Sequence, residues 1–479
     1  MQMTIGGVKV DSTSGKRIDV YCPADGQLLD SVPAATEAEV GRAVGLAVAG
    51  QRVWEKVPLH ERVSILERYI RLVDTHKEEI ARTLSLEQGR PYAQNLRDLE
   101  ENVHNILPGY LDVAKRLYGK TTVPGAYPGK EKDFQVIVRE PLGVIVAIIP
   151  FNSPINLFLK KAIPALVLGN ALVVKPASDD PLAMVRLVDL FVEAGVTPEA
   201  ISCITGSGSN VGRWLALNPH VAAISFTGST EVGKEIVRTS SVNLTRCFME
   251  LGGNDVMVVL ADADLDLAVH EAIRGRTNIA GQVCASPKRY LVQREVAAAF
   301  TDKLIAALQA LVVGQPLEEG VDLCCLINEK AATNAEEQIR HTVAQGATLA
   351  AGGGRNGTFL EPTVLTGVTR DMDVAKDMEI FAPVFPIIAV ADTDEAIDIA
   401  NASVYGLSGS VFSRDLKQAF HVANALKTGQ VVVNGSSFYM NPDAPFGGYK
   451  QSGLGREGIS VTLQEFSQEK TITIRDLLY

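Results

Sequence analysis

The 479-residue chain has no CxxC pair, no second histidine at zinc-helix spacing and no basic leader followed by an apolar run. Each absence closes off a class of function. Six cysteines without paired spacing, in a chain of this length, predict reduced thiols in a cytoplasmic protein rather than a disulfide framework. The adjacent Cys324-Cys325 reads as core. His270-Glu271 is followed by Arg274 where a zinc helix needs its second histidine, so no metal site is expected. The start, Met1-Gln2-Met3-Thr4-Ile5-Gly6, carries no secretion pattern. The most apolar stretch, 143–151, is broken by Asn152, Ser153 and Pro154 and then by Lys160 and Lys161, too soon to span a bilayer. An excess of positive charge is missing too: the formal net charge of −11 argues against nucleic acid or an anionic membrane as the main partner. No internal repeat and no low-complexity segment is present.

What is present fits a soluble α/β enzyme: 46% hydrophobic residues, 21% charged residues and 41 glycines. The length predicts about two or three domains. Thr36-Glu37-Ala38-Glu39 reads as a capping box, followed by Val40, Ala43, Val44, Ala47 and Val48 at helical spacing. A second helix follows Pro58, and Gly89-Arg90-Pro91 closes the helical region. Over 121–140 the pattern changes to turns and the strand-forming run Phe134-Gln135-Val136-Ile137-Val138.

From Val144 onward the chain alternates. Strands are expected over 144–149, 171–174, 200–205 and 221–226, with helices over 155–168, 182–193, 210–217 and 231–239. This predicts a parallel sheet covered by helices on both faces, with ligands at the carboxyl ends of its strands. A second α/β region is expected from strands over 254–260, 288–293, 384–390 and 431–434. The β-branched tail over 470–474 is an exposed edge unless something pairs with it.

Gly281-Gln282-Val283-Cys284-Ala285-Ser286 holds one cysteine just past the helix expected over 265–279. Alone, it reads as a small buried hydrophobe more readily than as a nucleophile. The small neighbours and the Gln282 amide would let a substrate approach the sulfur. Phe226-Thr227-Gly228-Ser229-Thr230-Glu231-Val232-Gly233-Lys234 is a strand, a turn and a helix start, and such a start suits a pyrophosphate. It imitates a P-loop. However, Glu235 stands where Ser or Thr would hold magnesium, and Glu231 would repel a triphosphate. Gly206-Ser207-Gly208-Ser209-Asn210-Val211-Gly212 is one residue too long for the dinucleotide fingerprint. By spacing alone, each glycine set is either a tight turn or a cofactor site.

Six segments in order carry a resemblance: Pro150-Phe151-Asn152-Ser153-Pro154, Phe226-Thr227-Gly228-Ser229, Glu250-Leu251-Gly252-Gly253, Gly281-Gln282-Val283-Cys284, Glu379-Ile380-Phe381-Ala382-Pro383-Val384 and Pro445-Phe446-Gly447-Gly448-Tyr449. With them the chain resembles the aldehyde dehydrogenase superfamily over nearly its whole length. The resemblance implies a Rossmann-type NAD(P)-binding domain over 1–120 and 141–252 and an α/β catalytic domain over 253–445. It also implies a small β oligomerisation element over 121–140 and 460–479, and a homodimer or homotetramer. Cys284 would be the nucleophile, Asn152 with the Cys284 N–H would hold the oxyanion, and Glu250 would activate the water that hydrolyses a thioester. Retention of Glu250 argues against transfer of the acyl group to CoA, and retention of Cys284 and Glu250 argues against a non-catalytic member.

For the cofactor, NAD or NADP, the resemblance implies Lys175 and Ser178 at the adenosine ribose and Gly208, Gly228 and Ser229 near adenine and pyrophosphate. Glu379 and Phe381 fall at the nicotinamide ribose, and Phe151 beside the cofactor. Ser178 stands where many NAD-preferring relatives carry Glu, which removes a charge that repels a 2′-phosphate; Asp179 and Asp180 act the other way if they face the site. Ala382 replaces a glycine, which would stiffen or shift the Glu379 loop. For the substrate, a small aldehyde, the resemblance implies a tunnel that includes Asn156, Lys160, Val283, Ala285, Phe438 and Tyr439. Lys160 meets an acidic substrate or lies on a helix surface, and a semialdehyde and an aryl aldehyde both stay open.

Overall fold

The apolar run at Val144 becomes the middle of an eight-stranded sheet. In the computed structural model, which describes residues 1–478, the strands lie in the order Val8–Val10, Met3–Ile5, Ile201–Cys203, Ala171–Lys175, Val144–Ile148, Val221–Thr227, Arg246–Glu250 and Gly453–Leu454. The five strands from Ile201–Cys203 to Arg246–Glu250 run parallel. Every residue of Val144–Ile148 and Ala171–Lys175 is buried, as expected of strands covered on both faces. The short outer strands are antiparallel additions. They escape a sequence reading because two or three residues carry no period.

The covering helices form for local reasons. Thr36 caps Glu37–Trp54, and the Glu39 carboxylate returns the bond by accepting the Thr36 N–H at 2.8 Å. Val40, Ala43, Val44 and Ala47 face the core, and Trp54 ends the helix fully buried, donating to the Leu166 carbonyl at 2.8 Å. Gly89 stops Lys77–Gln88 with a left-handed φ of +73°. Helix Pro154–Val167 is buried nearly all round, so it runs through the core rather than along the surface.

A second, seven-stranded sheet has the order Thr348–Ala351, Thr363–Thr366, Val384–Val390, Arg289–Gln293, Val256–Val259, Ser408–Phe412 and Gln430–Val433. Only Thr348–Ala351 runs against its neighbour. A small third sheet joins Ser467–Ile474 to Phe134–Pro141, with Lys120–Thr121 on the far side. The C-terminal strand starts at Ser467 rather than at 460. The residues before it form helix Ile459–Glu465, whose Ile459 and Leu463 are drawn into the first core. Tyr479, the last residue of that expected segment, lies outside the described residues.

Thr36→Ala removes one half of the capping box and is expected to lower stability by about 1 kcal/mol. Urea unfolding followed by the fluorescence of Trp54, at the other end of the same helix, and of Trp214 checks this. An unchanged midpoint contradicts it.

Candidate active site

The strand order of the first sheet creates a crevice. The chain steps from Val144–Ile148 outward through Ala171–Lys175 to Ile201–Cys203, then crosses back to Val221–Thr227 on the other side. At such a reversal the loops leaving the carboxyl ends separate, and a dinucleotide fits between them. The loops here carry Phe151 and Asn152, Lys175 and Ser178, Gly208, and Gly228 with Ser229. Ser229 caps Thr230–Ser240 and Ser207 caps Gly208–Leu217, so two positive helix ends meet the crevice. The Gly228 N–H donates to the Glu250 carbonyl at 3.1 Å, and a Cβ at Gly228 would lie 2.4 Å from the Phe226 ring.

Lys175 is buried and donates to the Pro176 carbonyl at 2.7 Å. Burial brings its ammonium down to about 8 against the pull of Asp180. Ser178 donates to the Gly206 carbonyl at 3.0 Å. Asp179 accepts a hydrogen bond from Asn328 at 2.9 Å. Asp180 is fully buried, and burial with Glu87 nearby pushes its carboxyl far up.

The Cys284 segment is built on backbone strain. After helix Leu265–Thr277, Ile279, Ala280 and Gly281 have φ of +42°, +50° and +75°. A left-handed β-branched residue is costly and persists only where its surroundings hold it. Arg276, fully buried, holds them: it donates to the Gly281 carbonyl at 3.2 Å, the Ser286 hydroxyl at 3.1 Å, the Ile380 carbonyl at 2.5 Å and the Val384 carbonyl at 3.0 Å. Gly281 packs so close to the second loop that a Cβ would lie 2.5 Å from the Ala382 carbonyl oxygen. Ala382 itself keeps a negative φ, so it fits in place of glycine without strain.

Gln282 does not face the substrate side. Its side chain turns inward, donating to the Ile279 carbonyl at 3.0 Å and accepting from the Ile327 N–H at 3.1 Å. Its carbonyl takes the Asn152 side-chain amide at 2.9 Å. Gln88, which sequence reading passes over, anchors the same loop by donating to the Phe151 carbonyl at 2.6 Å and the Asn152 carbonyl at 3.1 Å. The Asn152 amide has a second N–H beyond the one bound to Gln282.

Glu250 ends strand Arg246–Glu250 and is 5% exposed. Burial, then Glu457, pushes its carboxyl well up, while Lys161 and Arg456 pull it down; Lys161 and Glu457 form a buried ion pair. Gly447 leaves room beside it, since a Cβ there would lie 2.8 Å from Glu250 Oε1. Glu379 Oε1 accepts the Gly253 N–H at 3.3 Å and lies 3.3 Å from Lys288 Nζ. Phe381 meets Phe151 edge to face, with centroids 6.2 Å apart. Burial lifts the Cys284 thiol to about 12; Asp255, Glu379 and Glu250 push the same way and Lys288 opposes them.

A cavity of about 340 Å³ brings together Asn152, Asn156, Lys160, Val283, Cys284, Ala285, Phe438 and Tyr439. Glu250 is not on its wall, although its charge reaches the thiol. Lys160 is not a surface lysine: it is 7% exposed and its Nζ makes no hydrogen bond among the described residues. The lining also includes Asn102 and Ile106, which belong to a π-helical turn, Asn102–Ile106, inserted between two α-helices. Such turns concentrate at functional sites and leave no sequence pattern.

Residues 9–472 match the aldehyde dehydrogenase family. The chain is 37% identical to a glutarate-semialdehyde dehydrogenase of Pseudomonas aeruginosa, over 99% of this chain and 97% of the relative. It is 38% identical to a 3-sulfolactaldehyde dehydrogenase of Pseudomonas putida, over 99% and 96%. It also matches the crystal structure of an NADP-dependent glyceraldehyde-3-phosphate dehydrogenase from Bacillus halodurans complexed with NADP, with a TM-score of 0.96 and 36% identity over 99% of both chains. A cysteine loop facing a dinucleotide crevice accords with these matches: the chain belongs to the aldehyde dehydrogenase family and oxidises an aldehyde to the carboxylic acid with NAD or NADP.

Proposed function

We propose that Cys284 attacks the aldehyde carbon and that the free N–H of the Asn152 amide, with the Cys284 N–H, takes the developing oxyanion. One observation carries this reading: the Asn152 amide is bonded to the Gln282 carbonyl inside the Cys284 loop, and both side chains line one cavity. Lys175, Ser178, Gly208, Gly228 and Ser229 hold the adenosine and pyrophosphate half of the dinucleotide, and Glu379, Phe381 and Phe151 the nicotinamide half. Bound there, the dinucleotide supplies the hydride acceptor. Glu250 then takes a proton from the water that releases the acid from Cys284. On this reading 1–120 with 141–252 is the dinucleotide-binding domain and 253–445 the catalytic domain. Six free cysteines suit a reducing cytoplasm, and no helix among the described residues is long and apolar enough to cross a membrane.

The substrate is proposed to be a small aldehyde with an anionic group at its far end, as in a semialdehyde. Burial lowers the pKa of the Lys160 ammonium against the pull of Glu457, and an anion in the cavity that Lys160 lines offsets that cost. An unsubstituted aryl aldehyde offers Lys160 no opposite charge. The relatives named above act on glutarate semialdehyde, 3-sulfolactaldehyde and glyceraldehyde 3-phosphate, each with an anionic group. We also propose a homodimer or homotetramer built on the open edge of Ser467–Ile474, where Ile472 and Ile474 are exposed.

Three measurements test these readings. Lys160→Met is expected to raise KM for an acidic aldehyde by about tenfold or more and to leave that of a neutral aldehyde of equal length unchanged. Equal effects on both substrates reject the anionic assignment. Because burial raises the Glu250 carboxyl, it stays protonated to higher pH than an ordinary glutamate. The hydrolysis-limited kcat should therefore fall with decreasing pH through a midpoint above about 4.3, and Glu250→Gln should lower kcat by about a hundredfold or more. A kcat that is flat down to the ordinary glutamate range speaks against Glu250 as the base. The double variant Ile472→Lys, Ile474→Lys should shift the mass seen by light scattering toward smaller species, and an unchanged mass moves the interface elsewhere.

A further inference from the structure

Lys288 follows the Cys284 loop and is 1% exposed, yet it is not on the wall of the substrate cavity. Its ammonium donates to the Cys284 carbonyl at 2.6 Å and to the Ser286 carbonyl at 3.3 Å. The same nitrogen lies 3.3 Å from Glu379 Oε1 and 5.9 Å from the centroid of the Phe381 ring. One buried charge therefore touches the backbone of the nucleophile, the carboxylate of the second loop and the ring beside it. Burying an ammonium is expensive, and an apolar side chain of similar length would fill the position at lower cost.

The charges around the thiol explain what the ammonium is there to do. Glu250 reaches Cys284 from the first sheet, Asp255 from the segment after Gly252-Gly253, and Glu379 from its own loop; each favours the neutral thiol, and Lys288 alone among the principal influences favours the thiolate. Burial lifts the Asp255 carboxyl itself to about 7, with Lys288 the main opposing influence. Arg276 spends its guanidinium on the Gly281, Ile380 and Val384 carbonyls and the Ser286 hydroxyl, and Arg289 spends its own on the Asn254, Ala375, Ile399 and Ala400 carbonyls. The substrate cavity is also lined by Lys160, Arg274, Arg90, Asp98 and Glu101.

We propose that Lys288 is a positioning residue for the oxidation: its ammonium fixes the Cys284 and Ser286 carbonyls and the Glu379 carboxylate around one charge, favours the Cys284 thiolate and holds Glu379 where the nicotinamide ribose is read. This rests on the proposed roles of Cys284 and Glu379. A thiolate next to a cation is the reactive form, and each pKa unit changes its fraction by about tenfold.

The test is alkylation of the full-length enzyme by iodoacetamide as a function of pH, without aldehyde, with the dissociation constant for NAD or NADP measured in parallel by calorimetry. Lys288→Met and Lys288→Gln should be inactivated about tenfold or more slowly at mildly alkaline pH, with profiles displaced upward, and should bind the dinucleotide more weakly. Lys288→Arg should restore both properties. A role in folding alone lowers thermal stability without moving the profile, so superimposable profiles for the uncharged variants overturn the proposal. If neither uncharged variant folds, Glu379→Gln supplies the converse: it removes a carboxylate that opposes the thiolate and shares the ammonium, and the profile should move to lower pH. A profile that stays in place or moves upward overturns the proposal. Cys284→Ala separates the two levels. Full turnover in that variant rejects the nucleophile itself, whereas an inactive Cys284→Ala beside unmoved Lys288 profiles rejects only the role of Lys288.

Discussion

The hydrogen bond from the Asn152 amide to the Gln282 carbonyl is the contact on which the site depends. Asn152 belongs to the loop that leaves the central strand of the first sheet, and Gln282 to the loop that follows a helix of the second unit. On the proposed reading, neither unit carries the chemistry alone. The bond ties the Asn152 amide to the Cys284 loop, and Gln88 fixes the Asn152 side by holding two carbonyls of the same loop. Catalysis by preorganised donors needs such fixation, because a donor that must reorient gives up much of its advantage.

The nucleophile side is held at a cost. Ile279 and Ala280 sit in the left-handed region, and Arg276 is buried without a carboxylate partner. Four acceptors around its guanidinium compensate the charge and clamp the Cys284 loop to the Ile380–Val384 segment. Strain of this kind places the sulfur at the cavity wall while its loop backs onto the residues assigned to the nicotinamide ribose. The glycines of the motifs serve the same compaction. A side chain at Gly252 would meet Glu379 at 2.7 Å and one at Gly253 would meet the Cys284 carbonyl at 3.0 Å.

Much of this was legible in the sequence, for physical reasons. Strands buried on both faces read as unbroken apolar runs, so Val144–Ile148 and Val384–Val390 stood out, and the Thr36 capping box announced its helix. The motif order pointed to Cys284, Asn152 and Glu250 as candidates, and the structure brings Asn152 and Cys284 to one cavity. What stayed hidden depends on tertiary context. Met3–Ile5 and Gly453–Leu454 are strands only because a neighbour pairs with them. Lys160 was placed in the tunnel by the resemblance alone; its own neighbours left a helix surface equally open, because a helix buried nearly all round shows no face to choose. Gln88, Arg276 and Lys288 act through backbone carbonyls, which no residue pattern records, and the π-helical turn at Asn102–Ile106 has no periodic signature.

The central claim is that Cys284 carries the acyl group and Glu250 releases it. Mixing the Glu250→Gln enzyme with an acidic aldehyde and NAD or NADP, then measuring intact mass and mapping the modified peptide, tests it most directly. The expected result is one acyl group per chain on Cys284, formed together with one equivalent of reduced dinucleotide. Reduced dinucleotide formed with no mass increase, or an acyl group on another residue, would contradict it.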